Sequence, residues 1–250
     1  MAPADAILVE IQAPFAIITL NQPQKKNALD STLYKRLSSI LQDIDRKPEV
    51  FVTVLTGKGD FFSAGADVKA TREAFSGEDA RVSALERLSG GNLDLTRSFY
   101  RHSKILYCDF IYAVENAYFL TPFSAISLVC EGGASQSLIQ RMGLAKANEA
   151  LLFGKKLSAQ ELHQNGFFNG LFPPQPDTSF RKALLASLEQ QLAGLELDAI
   201  VKSKQLIRAA LPDPEQANAR EVFAGAERFA TGKPQARFAQ LASKQMRHKI

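Results

Sequence analysis

The stretch Val50-Phe51-Val52-Thr53-Val54-Leu55-Thr56-Gly57-Lys58-Gly59-Asp60-Phe61-Phe62-Ser63-Ala64-Gly65-Ala66-Asp67-Val68 decides how this chain is read. The apolar, β-branched run from Val50 to Leu55 predicts a buried strand, and Thr56-Gly57-Lys58-Gly59 closes it in a turn. Ser63, Ala64, Gly65 and Ala66 carry so little bulk that a ligand can approach the main chain. Any N–H aimed into a cleft there is a fixed dipole for a developing oxyanion. The same letters also fit a strand, a tight turn and a helix start with no ligand role. The glycines around Lys58 are not a P-loop, because no Ser or Thr follows the lysine and the preceding glycine is absent.

The segment Leu55 to Val68, together with Asn21-Gln22-Pro23-Gln24-Lys25-Lys26-Asn27-Ala28-Leu29 upstream, resembles the enoyl-CoA hydratase/isomerase (crotonase) family. The resemblance implies that Ser63, Ala64, Gly65, Asp67 and Val68, with Lys26 and Ala28, surround the CoA part of an acyl-CoA. It implies too that the N–H of Ala66 holds the thioester oxygen. No separate cofactor and no metal is expected, since coenzyme A belongs to the substrate. Lys26 fits a CoA phosphate as a point charge and fits a solvated turn equally well.

Composition is consistent with this reading and decides little. With 250 residues, 46% of them hydrophobic, the chain can bury a sizeable core. No apolar stretch approaches the roughly 20 residues of a membrane span, and the N-terminus lacks a signal pattern, so a cell-interior location is expected. Cys108 and Cys130 are too few for a disulfide framework and lack metal spacing; they read as buried thiols. The formal charge of +4 suits an anionic partner or a plain basic surface, and no motif argues for nucleic acid.

Ile7–Ile11 and Phe15–Leu20 predict two strands, followed by a helix capped at Asp30 or Ser31 with Leu33, Leu37, Ile40, Leu41 and Ile44 on one face. With the run Val50–Leu55 this gives strand, strand, helix, strand. The polar region 71–101 predicts a loop broken at Ser89-Gly90-Gly91 and then a helix from about Asn92 to Tyr100. Asp109–Val114 and Ala117–Leu120 read as short strands. From Ala134 onward the pattern is helical: 135–142, 145–153, a capping box at Ser158-Ala159-Gln160-Glu161, then helices over 178–193, 197–211, 215–231 and 235–248. The resemblance implies an α/β fold, a crotonase-like ββα spiral core over 1–194 with a helical oligomerisation region over 195–250, assembling as a trimer or dimer of trimers.

The second informative stretch is Thr121-Pro122-Phe123-Ser124-Ala125-Ile126-Ser127-Leu128-Val129-Cys130-Glu131-Gly132-Gly133-Ala134-Ser135 and on to Gly143. Glu131 stands alone between an apolar run and a glycine pair that opens a helix. Partial burial there raises a carboxyl towards the range useful for taking a carbon-bound proton. The same Glu can instead cap the helix that follows it. The stretch resembles the peroxisomal enoyl-CoA isomerase branch, which implies that Glu131 is the catalytic base. It would shuttle a proton and move a double bond from β,γ to α,β through a dienolate held by Ala66. Hydratases of the family use two glutamates; one of those positions is Phe123 here, so water addition is the weaker reading.

In relatives, a Lys-Pro-Leu-like start such as Lys104-Ile105-Leu106 continues through a strand, a turn and a helix start before a Cys-Asp pair. Here Leu106 and Tyr107 run directly into Cys108-Asp109. The omitted piece is on the order of 15 to 20 residues by typical element lengths, and one core strand is expected to be absent. The second oxyanion donor goes with it, which impairs an isomerase by about 10²- to 10³-fold where such donors have been removed. The alternative is a catalytically silent acyl-CoA-binding or subunit-pairing variant. His102, His163 and His248 read as surface or helix histidines. His248-Lys249-Ile250 loosely resembles a peroxisomal address and reads equally as a basic helix end; without such an address the location is cytoplasmic.

Overall fold

The computed structural model describes residues 5–67, 80–106, 109–243 and 245. Along the chain these form β1 (Ile7–Gln12), β2 (Phe15–Leu20), α1 (Ser31–Asp45), β3 (Val52–Gly57), α2 (Ala80–Leu88), a π-helical turn (Ser89–Leu93), α3 (Asp94–Arg101), β4 (Ile105–Leu106), β5 (Tyr112–Val114), β6 (Tyr118–Phe119), α4 (Ala134–Leu151), β7 (Leu157–Ser158), α5 (Ala159–Gln164), β8 (Gly170–Phe172), α6 (Asp177–Leu192), α7 (Leu197–Ala209), α8 (Pro214–Ala230) and α9 (Lys233–Ala242). The described residues fall into two compact units. One takes 5–67, 98–114 and 172–212, and the other takes 80–97, 115–171 and 213–245, with the gaps just given.

The first unit is built on a four-stranded mixed sheet in the order β1-β2-β3-β4. β1 and β2 form an antiparallel hairpin, β2 runs parallel to β3 over six pairs, and β4 joins β3 in parallel. Every residue of β2 is buried, as expected for a strand covered on both faces. Asp30 caps α1, its Oδ1 accepting from the Leu33 N–H at 2.9 Å, and Leu33, Leu37, Leu41 and Ile44 bury one stripe of that helix. Leu184 and Leu188 of α6 pack with Phe15, Ile17, Val52, Val54 and Ile105 of the sheet.

Among the described residues β4 pairs Val52 with Ile105 and Thr53 with Leu106. The chain then turns at Asp109, whose Oδ2 accepts from the Leu106 N–H at 2.9 Å while its own N–H donates to the Leu106 carbonyl at 2.7 Å. Lys204 and Arg208 of α7 hold the Asp109 carboxylate at 2.8 and 2.5 Å, and Lys204 also donates to the carbonyls of His102 and Lys104. Burial pushes this carboxyl up, but the two cations and the Leu106 amide outweigh it and hold the group below its ordinary range.

His102 corrects the expectation of a surface histidine. It is 3% exposed, its Nε2 lies 2.9 Å from the Thr53 hydroxyl, and its Nδ1 is 3.6 Å from Asp45 Oδ1. Burial lowers its pKa to about 4 against the opposing pull of Asp45. His163 is exposed on α5, its Nδ1 3.0 Å from the Phe168 carbonyl oxygen; His248 lies outside the described residues.

In the second unit the helical run of α4 is interrupted at Gly143, whose backbone is not helical (φ 75°, ψ 161°), so the two helices expected on either side of this glycine are present. The capping box at Ser158 and Glu161 and the Asp213-Pro214 start of α8 form as the sequence predicts. The loop expected before Asn92 is corrected in part: 80–88 form α2, and the chain stays helical through Ser89-Gly90-Gly91 as a π turn. Weak periodicity concealed α2, which is held by packing rather than propensity: Ala84 clusters with Ala226 and Phe229 of α8. Residues 68–79, the rest of that expected loop, lie outside the described residues. No helix among the described residues is long and apolar enough to cross a membrane.

The His102 environment fixes a pH dependence. Its folded pKa lies below the ordinary value of 6.5, so between pH 6.5 and about 4 the unfolded chain binds more protons than the native one. The neutral imidazole's stabilising contribution is therefore complete above pH 6.5 and declines as pH falls towards 4. A shift of this size corresponds to about 3 kcal/mol. Denaturant melts of wild type and His102→Gln should converge in stability as the pH drops through this window, and a constant difference between them across it contradicts the assignment.

Candidate active site

Two short segments of the first unit are sewn together around Ala66. Leu29 and Ala66 form a parallel β-bridge in which the Leu29 N–H donates to Gly65 O and the Asp67 N–H donates to Leu29 O, each at 2.9 Å. In such a bridge one residue takes both peptides that flank its partner, so the partner's own N–H and C=O point to the other side. The Ala66 amide is thereby turned away from the 25–29 segment. Neighbouring amides are committed elsewhere: Ala64 N–H to Lys26 O at 2.8 Å, and Gly65 N–H to the Ser63 hydroxyl at 3.0 Å. Gly65 adopts φ 82°, which a glycine takes without strain.

Asn27, which the sequence reading did not single out, braces this loop pair. It is 1% exposed and sits at φ 54°, a left-handed conformation that asparagine tolerates. Its Nδ2 donates to the carbonyls of Lys58 and Phe61 at 3.0 and 2.6 Å, its Oδ1 accepts from the Gln22 N–H at 2.8 Å, and its own carbonyl accepts from the Ser63 hydroxyl at 2.9 Å. Gly57 is required beside it, since a Cβ there would meet the carbonyl oxygens of Phe61 and Phe62 at 2.4 Å. Lys26 is exposed with its Nζ 4.7 Å above the Phe61 ring, Ala28 is half-buried, and Asp67 lies 3.6 Å from the Lys25 ammonium. Val68 lies outside the described residues.

Glu131 belongs to the second unit. It is half-buried, and its Oε2 accepts a hydrogen bond from Asn92 Nδ2 at 3.1 Å. Asn92 lies in the π turn, a helix distortion that re-aims side chains and recurs at functional sites. Gly132 and Gly133 follow the acid at φ 74° and 77°, and Gly133 is the N-cap of α4, so no side chain of the cap residue serves the helix. That service comes from Glu221 of α8, whose carboxylate accepts from the Gly133 N–H at 2.6 Å and the Ser135 N–H at 2.7 Å. Cys130 is half-buried, and burial with Glu221 and Glu131 nearby pushes its thiol up. Among the described residues no group of three or more His, Cys, Asp or Glu could hold a metal ion.

Residues 10–88 and 103–226 match the sequence profile of the family described as enoyl-CoA hydratase/isomerase. The chain belongs to the enoyl-CoA hydratase/isomerase family. It is 41% identical to a Delta(3,5)-Delta(2,4)-dienoyl-CoA isomerase of Pyricularia oryzae, over 97% of this chain and 98% of that protein. It is 30% identical to the 3,2-trans-enoyl-CoA isomerase of Saccharomyces cerevisiae, over 98% and 97% of the two chains. Among solved structures, Pseudomonas aeruginosa OdaA aligns at a TM-score of 0.80 and 22% identity, covering 95% of this chain and 99% of that one. An enoyl-CoA hydratase of Mycobacterium avium subsp. paratuberculosis aligns at 0.81 and 21%, covering 97% of each. These likenesses give the fold, the crotonase-like α/β architecture read from the sequence.

The family alignments bear on chain length as well. Those with the two isomerases run over 274 and 273 positions, more than the 250 residues present, so some positions of these relatives have no counterpart here. The junction in question, Leu106–Tyr107, borders residues 107 and 108, which lie outside the described residues.

Two substitutions test the frame. Asn27→Ala leaves two carbonyls and one N–H without their partner in a buried setting, which destabilises by about 1 to 3 kcal/mol. The melting temperature should fall, and acyl-CoA affinity should fall with it; unchanged affinity removes this loop pair from the ligand site. Gly133→Ala puts a Cβ in the left-handed region at a cost of about 1 to 2 kcal/mol, and a stability unchanged within error in a denaturant melt contradicts the conformation at that residue.

Proposed function

We propose that the protein is an isomerase that moves the double bond of a β,γ-enoyl-CoA to the α,β position. Glu131 takes a proton from C2, the dienolate charge gathers on the thioester oxygen against the Ala66 N–H, and the same proton returns at C4. The observation that carries this is the pairing of one carboxylate with a neutral amide donor, Asn92, and the capping of α4 by Glu221. Together they orient one Glu131 oxygen through a neutral donor and put a different carboxylate on the α4 N-terminus. Phe123, half-buried where a hydratase would have a second carboxylate, supports proton shuttling over water addition.

The segment absent between Leu106 and Tyr107 takes the second oxyanion donor with it in this reading. The alignments longer than the chain support that reading. A single remaining donor implies turnover about 10²- to 10³-fold below that of a two-donor enzyme. A silent acyl-CoA-binding or subunit-pairing variant is the alternative. The 41% identity to a dienoyl-CoA isomerase favours a second substrate, a 3,5-dienoyl-CoA, in which the proton taken from C2 is returned at C6 and the bonds move to 2,4. We further assign 1–194 to the catalytic core and 195–250 to assembly as a homotrimer or dimer of trimers, supported by the exposed Leu206, Ile207 and Phe223 of α7 and α8. The peroxisome is the proposed location on the terminal His248-Lys249-Ile250.

Purified protein should convert a 3-enoyl-CoA to the conjugated 2-enoyl-CoA, followed by absorbance. Glu131→Gln should lose about 10²- to 10⁴-fold in kcat while still binding the acyl-CoA. Parallel assays with a 3,5-dienoyl-CoA rank the two substrates. Binding without turnover supports the silent variant, and failure to bind acyl-CoA overturns both readings.

A further inference from the structure

Helix α8 reaches the surroundings of Glu131 at two points three residues apart. Glu221 grips the turn that follows the acid, through the Gly133 and Ser135 amides at 2.6 and 2.7 Å. Asn218 donates from Nδ2 to the Thr96 hydroxyl, and Thr96 donates onward to the backbone carbonyl of Asn92 at 2.8 Å. Asn92 is the residue whose side chain meets Glu131 Oε2. One face of α8 thus holds both backbone segments from which the acid and its amide partner project.

These two side chains occupy places where an amphipathic helix ordinarily carries apolar residues. Asn218 is 1% exposed and Glu221 is 6% exposed, in the same buried stripe as Ala217, Val222, Gly225, Ala226 and Phe229. An amide and a carboxylate taken out of water there are costly unless bonded, and apolar residues would pack the stripe without that cost. The need is local. Glu131 is followed by two left-handed glycines, which have no side chains to fix the turn, and Asn92 follows Gly90 and Gly91 in the π turn.

We propose that Glu221 and Asn218 are positioning residues that set the Glu131–Asn92 pair, with Glu221 also occupying the α4 N-terminus that Glu131 would otherwise swing round to cap. The inference rests on the reading of Glu131 as the base. A displacement of about 1 Å at a reacting group is enough for a 10²-fold loss in rate, so the effect belongs in kcat. The CoA moiety is assigned to the loops around Ala66 in the other unit, so KM should hardly move.

The test uses Glu221→Gln, which keeps the shape but places an N–H₂ against one of the two backbone N–H groups, and Asn218→Ala as a second variant. Each should lower kcat at least tenfold with KM within about twofold of wild type. Because both act through the base, the Glu131→Gln/Glu221→Gln double variant should be no slower than Glu131→Gln alone within about threefold. Crystal structures of the variants supply a readout independent of turnover: the Asn92–Glu131 hydrogen bond should be broken, with Glu131 turned towards the α4 amides. Unchanged kcat, a further multiplicative loss in the double variant, or an intact pair in the variant crystal overturns the proposal. So does failure of both single variants to fold, which would make α8 a folding element only. An inactive wild-type protein would instead defeat the isomerase reading, while the crystal geometry still decides the positioning role.

Discussion

Leu29 takes the two peptides on either side of Ala66, and from that single bridge the oxyanion-binding half of the proposed site follows. An amide serves a ligand only if the fold has not already used it, and in this loop the amides of Ala64, Gly65 and Asp67 are used. The Ala66 amide is turned outward by the geometry of parallel pairing rather than by any property of alanine. The bridge depends in turn on Asn27, whose left-handed backbone and three-way side chain join the segment before α1 to the loop after β3. Small side chains at 63–66 then keep the approach open.

The acid half rests on a competition for one helix terminus. A carboxylate next to the positive end of α4 is drawn to cap it, and a capping acid is a poor base because its oxygens are occupied. Glu221 resolves the competition by arriving from α8 with two short, charge-assisted bonds, and Gly133 as N-cap offers no side chain of its own. The stretch Glu131-Gly132-Gly133 therefore owes its form to a residue about ninety positions further on. In the proposed role, Asn218 and Glu221 tie the Asn92 and Glu131 segments to the same helix.

Much of this was legible in the residues. Strand, strand, helix, strand appears where Ile7 to Leu55 alternates, runs apolar and caps at Asp30, and α5 and α8 begin at the capping residues the sequence offers. The loop at 63–66 and Glu131 stood out because small or glycine neighbours surround them. What stayed hidden depended on distance through the fold. α2 has weak periodicity and is held by packing on α8; the π turn widens a helix at glycines that read as a break; His102 looked like any helix histidine until Thr53 and Asp45 closed over it. Asn218 and Glu221 did leave a signal, as polar residues at the apolar positions of an amphipathic helix, and that pattern points to a polar partner on the opposing element.

Asp109, held by Lys204 and Arg208, lies just beyond β4, and the proposed loss of a second oxyanion donor leaves the question of rate. The account as a whole turns on one arrangement, the Ala66 amide and the Glu131 carboxylate serving the same thioester. A crystal structure of the protein with a bound acyl-CoA tests it most directly. The account predicts the thioester oxygen at about 3 Å from the Ala66 nitrogen, a hydrogen-bond distance, with the Glu131 carboxylate over C2 on the other side of the acyl chain. A thioester oxygen held elsewhere, or a Glu131 carboxylate remote from the acyl chain, contradicts it.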